Sequence, residues 1–168
     1  MSKCYLLSLV VLCQLLCFAA TAQPLSSQKN SMIVIEKPYV RATIPGTSIA
    51  SSYMEIVNNS DKTVTLLSAS SNISPRVELH QHTMVDGMMR MRKVNSIDIK
   101  SKGRIKLQPS GLHLMLFDIK TPLVSPAKVE LMLNFSTNQL VTVNVPIYSP
   151  AEEKAANQAS STMHEHHH

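Results

Sequence analysis

Four side chains with soft or imidazole donors follow a fixed spacing in the middle of the chain. They are His80, Met91, His113 and Met115, in the pattern His-x10-Met-x21-His-x-Met. Two imidazoles and two thioethers, with no thiol nearby, form a soft and neutral donor set of the kind that Cu(I) prefers. Zinc normally takes thiolate, imidazole or carboxylate ligands, and magnesium and calcium take oxygen. The pattern therefore predicts a site for Cu(I), which would bind Ag(I) in a similar way.

A turn signal positions the first half of this set. Asp86-Gly87 between two apolar runs is typical of a two-residue β-hairpin turn. With these residues at the turn, His82 pairs with Met91, and one step further His80 pairs with Lys93. Side chains alternate across a strand. Five side chains are therefore predicted to share one face of the hairpin: His80, His82, Met84, Met89 and Met91.

The second half of the set lies on a separate predicted strand. His113 and Met115 are two residues apart, so they point the same way, and the leucines at 112, 114 and 116 point into the interior. If this strand neighbours the hairpin, the two halves converge on one cation, but the turn register alone does not make it the neighbour. His82, Met84 and Met89 are either auxiliary ligands or a soft entry surface.

Residues 1–22 have the features of an export signal. A short basic start precedes an apolar run from Tyr5 to Phe18, and Ala20-Thr21-Ala22 supplies a small-x-small cleavage site before Gln23. We therefore predict cleavage near Ala22/Gln23 and a periplasmic mature protein; a retained signal anchor is the alternative. Lipid attachment is disfavoured because Leu16, rather than a small residue, precedes Cys17. All three cysteines lie in this segment, so the mature chain is predicted to lack disulfides.

The remainder of the chain has the pattern of an all-β protein. Short apolar and β-branched runs follow a polar leader over residues 23–31, and glycines and prolines separate them; Pro38, for example, divides Met32–Glu36 from Tyr39–Thr43. No stretch sustains a 3.6-residue period. Many short strands at near-regular spacing predict one cupredoxin-like or immunoglobulin-like β-sandwich over residues 32–148.

Residues 149–168 are polar and are predicted to form a flexible tail. The tail ends in a cluster of potential ligands: Met163, His164, His166, His167 and His168. Imidazoles suit Cu(II), so this cluster predicts a second copper site, with a purification tag as the alternative.

Composition excludes several other functions. Sixteen basic and 11 acidic residues leave a mild positive charge without a long basic cluster, and there is no Trp. We expect no nucleic-acid partner, no stable membrane insertion and a monomer. No nucleophile elbow, phosphate loop or zinc-enzyme motif is present, so we predict a protein that is not an enzyme.

The four-residue spacing resembles the hallmark of the PCu(A)C family of periplasmic copper chaperones. Local context agrees, including Arg41–Gly46 and Ser52–Met54, and the resemblance runs from about Val34 to Pro146. It implies a cupredoxin-like β-sandwich with one exposed Cu(I) site at one end. It also implies copper delivery toward cytochrome c oxidase, with its subunit II or a Sco-type thiol protein as acceptor. Some members carry a copper-binding C-terminal extension, of which Met163–His168 is a short likeness.

Two other functions stay open at this point. The first is sequestration of copper or silver in the periplasm without a delivery partner. The second is a metal-independent β-sandwich that uses its methionine-rich face for protein interaction.

Overall fold

The computed structural model describes residues 32–162, with side chains described as far as residue 159. The predicted signal peptide, the polar leader and Met163–His168 lie outside the described residues. The elements, in chain order, are β1 (Ile33–Arg41), β2 (Ala50–Asn58), β3 (Val64–Ser71), β4 (Arg76–Val85), β5 (Met88–Lys93), β6 (Ile97–Ile99), β7 (Arg104–Leu107), β8 (Leu112–Phe117), β9 (Lys128–Phe135), β10 (Leu140–Tyr148) and α1 (Pro150–Thr162).

The strands form two sheets that are joined at one edge. The first sheet has the order β5-β4-β8-β7-β2-β1, and the second has the order β10-β9-β3-β6. Strands β1 and β10 connect the sheets by parallel pairing, at Val40–Ile147 and Arg41–Tyr148. Apolar side chains of both sheets form one core between them. The predicted all-β fold is confirmed.

Alternation along the strands divides the first sheet into an inner and an outer face. Leu79, Leu114 and Leu116 point inward and are fully or almost fully buried. Each such leucine contributes about 1.5–3 kcal/mol when it leaves water. This burial fixes the register, because a shift by one residue would turn the leucines outward. The intervening residues of β4 and β8 are therefore held on the outer face.

The β4–β5 hairpin has the predicted turn and register. Asp86 and Gly87 both have positive φ angles, 52° and 75°, which the mirror-image two-residue turn requires. His82 pairs with Met91 and His80 with Lys93, as predicted.

The predicted break at Pro38 is wrong, because β1 is a single strand. The register with β2 shifts between Glu36 and Tyr39, and Lys37 has a φ angle of 48°. Proline cannot donate a ladder hydrogen bond, and an irregularity of this kind accommodates it without ending the strand.

The prediction of a flexible tail over residues 149–168 is wrong where α1 forms. Ser149 and Glu152 cap the helix reciprocally: the Ser149 amide donates to Glu152 Oε2 at 2.7 Å, and the Glu152 amide donates to Ser149 Oγ at 3.4 Å. Pro150 occupies the first helical position, where its missing N–H costs nothing. Glu153 then accepts two hydrogen bonds from Arg41, each 2.7 Å long. No helix within residues 32–162 combines the length and the apolarity that crossing a membrane requires.

Candidate metal centre

Strand β4 lies between β5 and β8, and this arrangement brings the predicted ligands together. His80 is directly opposite His113 on β8, and His82 is directly opposite Met91 on β5. Directly opposed residues point to the same side of a sheet. We name this part of the outer surface the His/Met face, and it comprises Glu78, His80, His82, Met84, Met89, Met91, Lys93, His113 and Met115. The sequence left open whether the strand of His113 neighbours the hairpin, and in the fold it does.

Three imidazole rings lie side by side on this face. The His82 ring stacks on the His113 ring, with centroids 5.0 Å apart and planes inclined by 24°. The His80 and His113 rings are 5.9 Å apart. Tyr53 of β2 packs against the other side of His113, at 6.3 Å between ring centroids. His113 is the central member of the group, and only 1% of it is exposed.

His113 presents one free nitrogen lone pair. Its Nδ1 lies 3.0 Å from the carbonyl oxygen of Gly111. A carbonyl only accepts hydrogen bonds, so Nδ1 carries the proton and Nε2 keeps its lone pair. Nε2 is buried and has no hydrogen-bond partner among the described residues. Burial is the main cause that lowers the pKa of His113, so the ring is neutral at neutral pH.

His80 is oriented by a carboxylate in the opposite sense. Its Nε2 lies 2.9 Å from Glu78 Oε2, while Lys93 donates to Glu78 Oε1 at 2.9 Å. The hydrogen bond with His80, followed by that from Lys93, lowers the pKa of Glu78 to about 2. Because the carboxylate is ionised, His80 Nε2 donates to it, and Nδ1 is the nitrogen that the neutral form of the ring would present to a metal ion. A carboxylate that orients a histidine in this way is common behind metal ligands.

The free imidazole nitrogens have no partner within the described part of the chain. His80 Nδ1, His82 Nδ1 and His113 Nε2 are all buried without a hydrogen bond. Buried polar atoms are nearly always hydrogen-bonded, so three exceptions at one place need an explanation. A bound cation would supply the missing partner.

The two methionines of the pattern lie in different surroundings. Met115 is half-buried opposite Glu78, and Ser51 Oγ donates to its sulfur at 3.8 Å. Met91 lies on β5 and is 43% exposed. Met84 and Met89 oppose each other near the turn and are more exposed than Met91, at 64% and 54%. Met91 is directly opposite His82, whereas Met84 and Met89 form the next pair toward the turn.

The donor set fits a soft monovalent ion. Within residues 32–162, no group of three or more histidine, cysteine or carboxylate side chains is arranged to hold a metal ion. The His/Met face combines imidazole and thioether donors, and such a mixed set suits Cu(I).

Sequence reasoning missed the residues that hold the predicted ligands in place. The position of Glu78 could have been found from sequence, because a residue two positions before His80 lies on the same face of the strand. Tyr53 carries a signal only through the family resemblance of Ser52–Met54, and Ser51 carries none, because β2 is remote in sequence from both β4 and β8. Tyr53 in turn lies under the guanidinium of Arg41, 5.1 Å from its ring centroid, and Arg41 is held by Glu153 of α1.

The fold and these donors define a class: a cupredoxin-like β-sandwich with a His/Met face. The profile of the LpqE-like family, described as "Putative lipoprotein LpqE-like", matches residues 33–147. The chain belongs to the LpqE-like family. A curated relative, "Putative lipoprotein Lxx21020" of Leifsonia xyli subsp. xyli, is 27% identical over 137 residues, which are 80% of this chain and 81% of the relative.

Solved structures of the same fold include copper proteins. The copper-bound PCuAC domain from PmoF2 is 26% identical, with a TM-score of 0.61, and the match covers 71% of this chain and 95% of that domain. The CuI form of DR1885 from Deinococcus radiodurans is 26% identical, with a TM-score of 0.60, and the match covers 79% of this chain and 88% of that one. These similarities confirm the cupredoxin-like fold.

Proposed function

We propose that this protein is an exported copper chaperone that binds one Cu(I) ion on the His/Met face. The observation that carries the proposal is a group of three buried imidazole nitrogens that adjoins methionine side chains and has no hydrogen-bond partner in the described part of the chain. The copper-bound state of two structural neighbours supports it. A metal-independent interaction module gives no reason to bury unpartnered nitrogens, because each of them costs free energy.

The proposed ligands are His80 through Nδ1, His113 through Nε2, and the sulfurs of Met91 and Met115. All four are neutral, so a soft ion is held mainly by donor preference rather than by charge. His82, Met84 and Met89 are proposed to form the soft entry surface beside this shell of four ligands. The cluster of Met163, His164, His166, His167 and His168 is proposed as a second site, for Cu(II).

The proposed role is delivery of copper rather than catalysis. Thioether ligands exchange readily, and a partly exposed one gives an acceptor a place to attack. A thiol-containing acceptor binds Cu(I) more tightly than this set does, so transfer is downhill. We propose the periplasm as the compartment and cytochrome c oxidase assembly as the destination, with subunit II or a Sco-type protein as acceptor. The lipoprotein description of the family supports an envelope location.

Titration of the apo-protein with Cu(I) against a chromogenic chelator tests the site. The expected result is one tightly held Cu(I) ion per chain, lost in the double variant Met91→Ala/His113→Ala. Unchanged affinity in that variant would refute the site. A control variant has the four histidines of the tail replaced by asparagine. It is expected to bind one Cu(I) ion as tightly as the wild type.

Delivery and sequestration are separated in the cell. A deletion strain grown at low copper is expected to lose cytochrome c oxidase activity, and added copper is expected to restore it. Normal oxidase activity combined with sensitivity to excess copper would favour sequestration and contradict delivery.

A further inference from the structure

The arginines of the described chain fall into two groups. Arg41, Arg76 and Arg104 each lie close to at least one carboxylate, with shortest distances of 2.7, 3.4 and 3.1 Å respectively. Arg90 and Arg92 on β5 form no ion pair with any residue that the structure describes. Both are exposed. The two unpaired guanidinium groups thus lie on the strand that carries Met91.

Strand β5 is also the free edge of the first sheet. It is the outermost strand in the spatial order, so one side of its backbone pairs with no other strand of residues 32–162, and all six of its residues are exposed. Alternation puts Met89 and Met91 on the His/Met face and Arg90 and Arg92 on the reverse face. A partner that meets this edge would contact the methionines on one side and the arginines on the other.

We infer that β5 is the docking surface for an acidic face of the copper-accepting protein. The inference rests on the proposed function and adds the chemistry of the partner. Charge complementarity carries it: the strand has three cations and no anion, and Lys93 alone among them is neutralised, by Glu78. Opposite charges steer two proteins into encounter and set their orientation.

Docking at this edge places the acceptor where the exposed ligand lies. His113 is closed to solvent, whereas Met91 is open, so incoming ligands reach the ion from the β5 side. In the transfer step, Cu(I) keeps its oxidation state. Two acceptor thiols lose their protons to solvent as they bind the ion, and the thioether and imidazole ligands are released unchanged.

The test uses two synthetic acceptor peptides with the same Cys-x-x-x-Cys centre, one flanked by glutamates and the other by lysines. Stopped-flow absorbance follows Cu(I) transfer from the mature protein to each peptide. At low salt, the acidic peptide is expected to accept copper at least about tenfold faster than the basic one. The difference between the two transfer rates should largely disappear near 1 M salt, where charges more than about 3 Å apart are screened from each other.

Two charge-matched variants locate the effect. Arg90→Glu/Arg92→Glu is expected to abolish or invert the preference for the acidic peptide. Lys120→Glu/Lys128→Glu changes the net charge equally at two exposed cations outside the hairpin and is expected to preserve the preference. Cu(I) affinity is measured first by chelator competition and should be the same in both variants.

The outcomes separate this inference from the function on which it rests. Equal transfer rates to the two peptides, or equal effects of the two variants, would overturn docking at β5 while the copper site stood. Self-association of the Arg90→Glu/Arg92→Glu variant with an unchanged preference would show that the arginines only protect a free edge, which also overturns the inference. A wild-type protein that retains no Cu(I) in the chelator titration would refute the proposed function itself.

Discussion

The imidazole side of the His/Met face, represented by buried His113, and its exposed thioether side, represented by Met91, differ in almost every physical respect. His113 is 1% exposed, packs between Tyr53 and His82, and is fixed by the Gly111 carbonyl. Met91 is 43% exposed and lies on a free edge strand. The packed surroundings of His113 hold its ring in place, whereas Met91 is a flexible side chain at the surface.

This difference suggests a division of labour for a carrier. Preorganised ligands lower the entropic cost of binding, so most of the affinity should come from the histidines. An exposed methionine with three rotatable bonds can leave the ion and return, so the rate of release should depend on it. The following predictions test whether affinity and release separate in this way.

The largest effect is expected for His113→Ala. It removes the central buried nitrogen, and Cu(I) affinity should fall by more than the roughly 10- to 100-fold that loss of a residue behind a ligand costs. Chelator competition measures the loss. Leu114→Val, at the adjacent core position, is the control: it destabilises the fold by about 1 kcal/mol without changing copper affinity. Equal Cu(I) affinities for His113→Ala and Leu114→Val would show that His113 is not a copper ligand.

Met91→Leu tests the thioether side. The substitution keeps the side-chain volume but deletes the sulfur, and we expect about tenfold weaker Cu(I) binding, equivalent to about 1.4 kcal/mol. Most of the change should appear as faster release to a chelator in a stopped-flow experiment. Met88→Leu, which is similarly exposed on the reverse face of the same strand, should match the wild type. A change in Met88→Leu as large as that in Met91→Leu would indicate a general effect on the hairpin.

Glu78→Gln tests the orientation of His80. The amide loses the negative charge that fixes the His80 proton on Nε2, so His80 Nδ1 becomes a poorer donor and Cu(I) affinity should fall up to about tenfold. Glu55→Gln removes another outer-face carboxylate, one paired with Arg104 and Lys106, and should leave copper affinity unchanged. A Glu78→Gln protein with wild-type affinity would mean that His80 is held by packing alone.

The smallest effect on copper is expected for Glu153→Ala in α1. Arg41 and Tyr39 lose their shared partner, which should lower the free energy of unfolding by about 1–2 kcal/mol. Thermal unfolding measures this loss. Cu(I) affinity should change less than twofold, because Tyr53 still packs against His113. A large loss of affinity would indicate that the helix positions the metal centre.

The parts of the site that could be predicted from sequence are those fixed by local chain geometry. The Asp86-Gly87 turn determines which residues of β4 and β5 face each other, and alternation puts His113 and Met115 on one face. The pairing of β8 with β4 could not be predicted, because it depends on how the whole sheet assembles. Tyr53 and Ser51 reach the site only through that assembly.

Errors of prediction occurred where a local signal was outweighed by a tertiary one. Pro38 suggested a break, but the pairing of β1 with β2 continues past it with a bulge. The polar tail suggested disorder, yet Ser149 and Glu152 cap a helix that Arg41 anchors.

X-ray absorption at the copper edge of the Cu(I)-loaded protein tests the central claim most directly, because it counts the atoms bound to the ion. The tail histidines are replaced by asparagine for this measurement, so that only the His/Met face contributes. We predict a shell of two sulfur and two imidazole nitrogen neighbours, with one sulfur lost in Met91→Leu. A shell of nitrogen and oxygen alone, or one unchanged by Met91→Leu and His113→Ala, would contradict a copper centre built from these two sides.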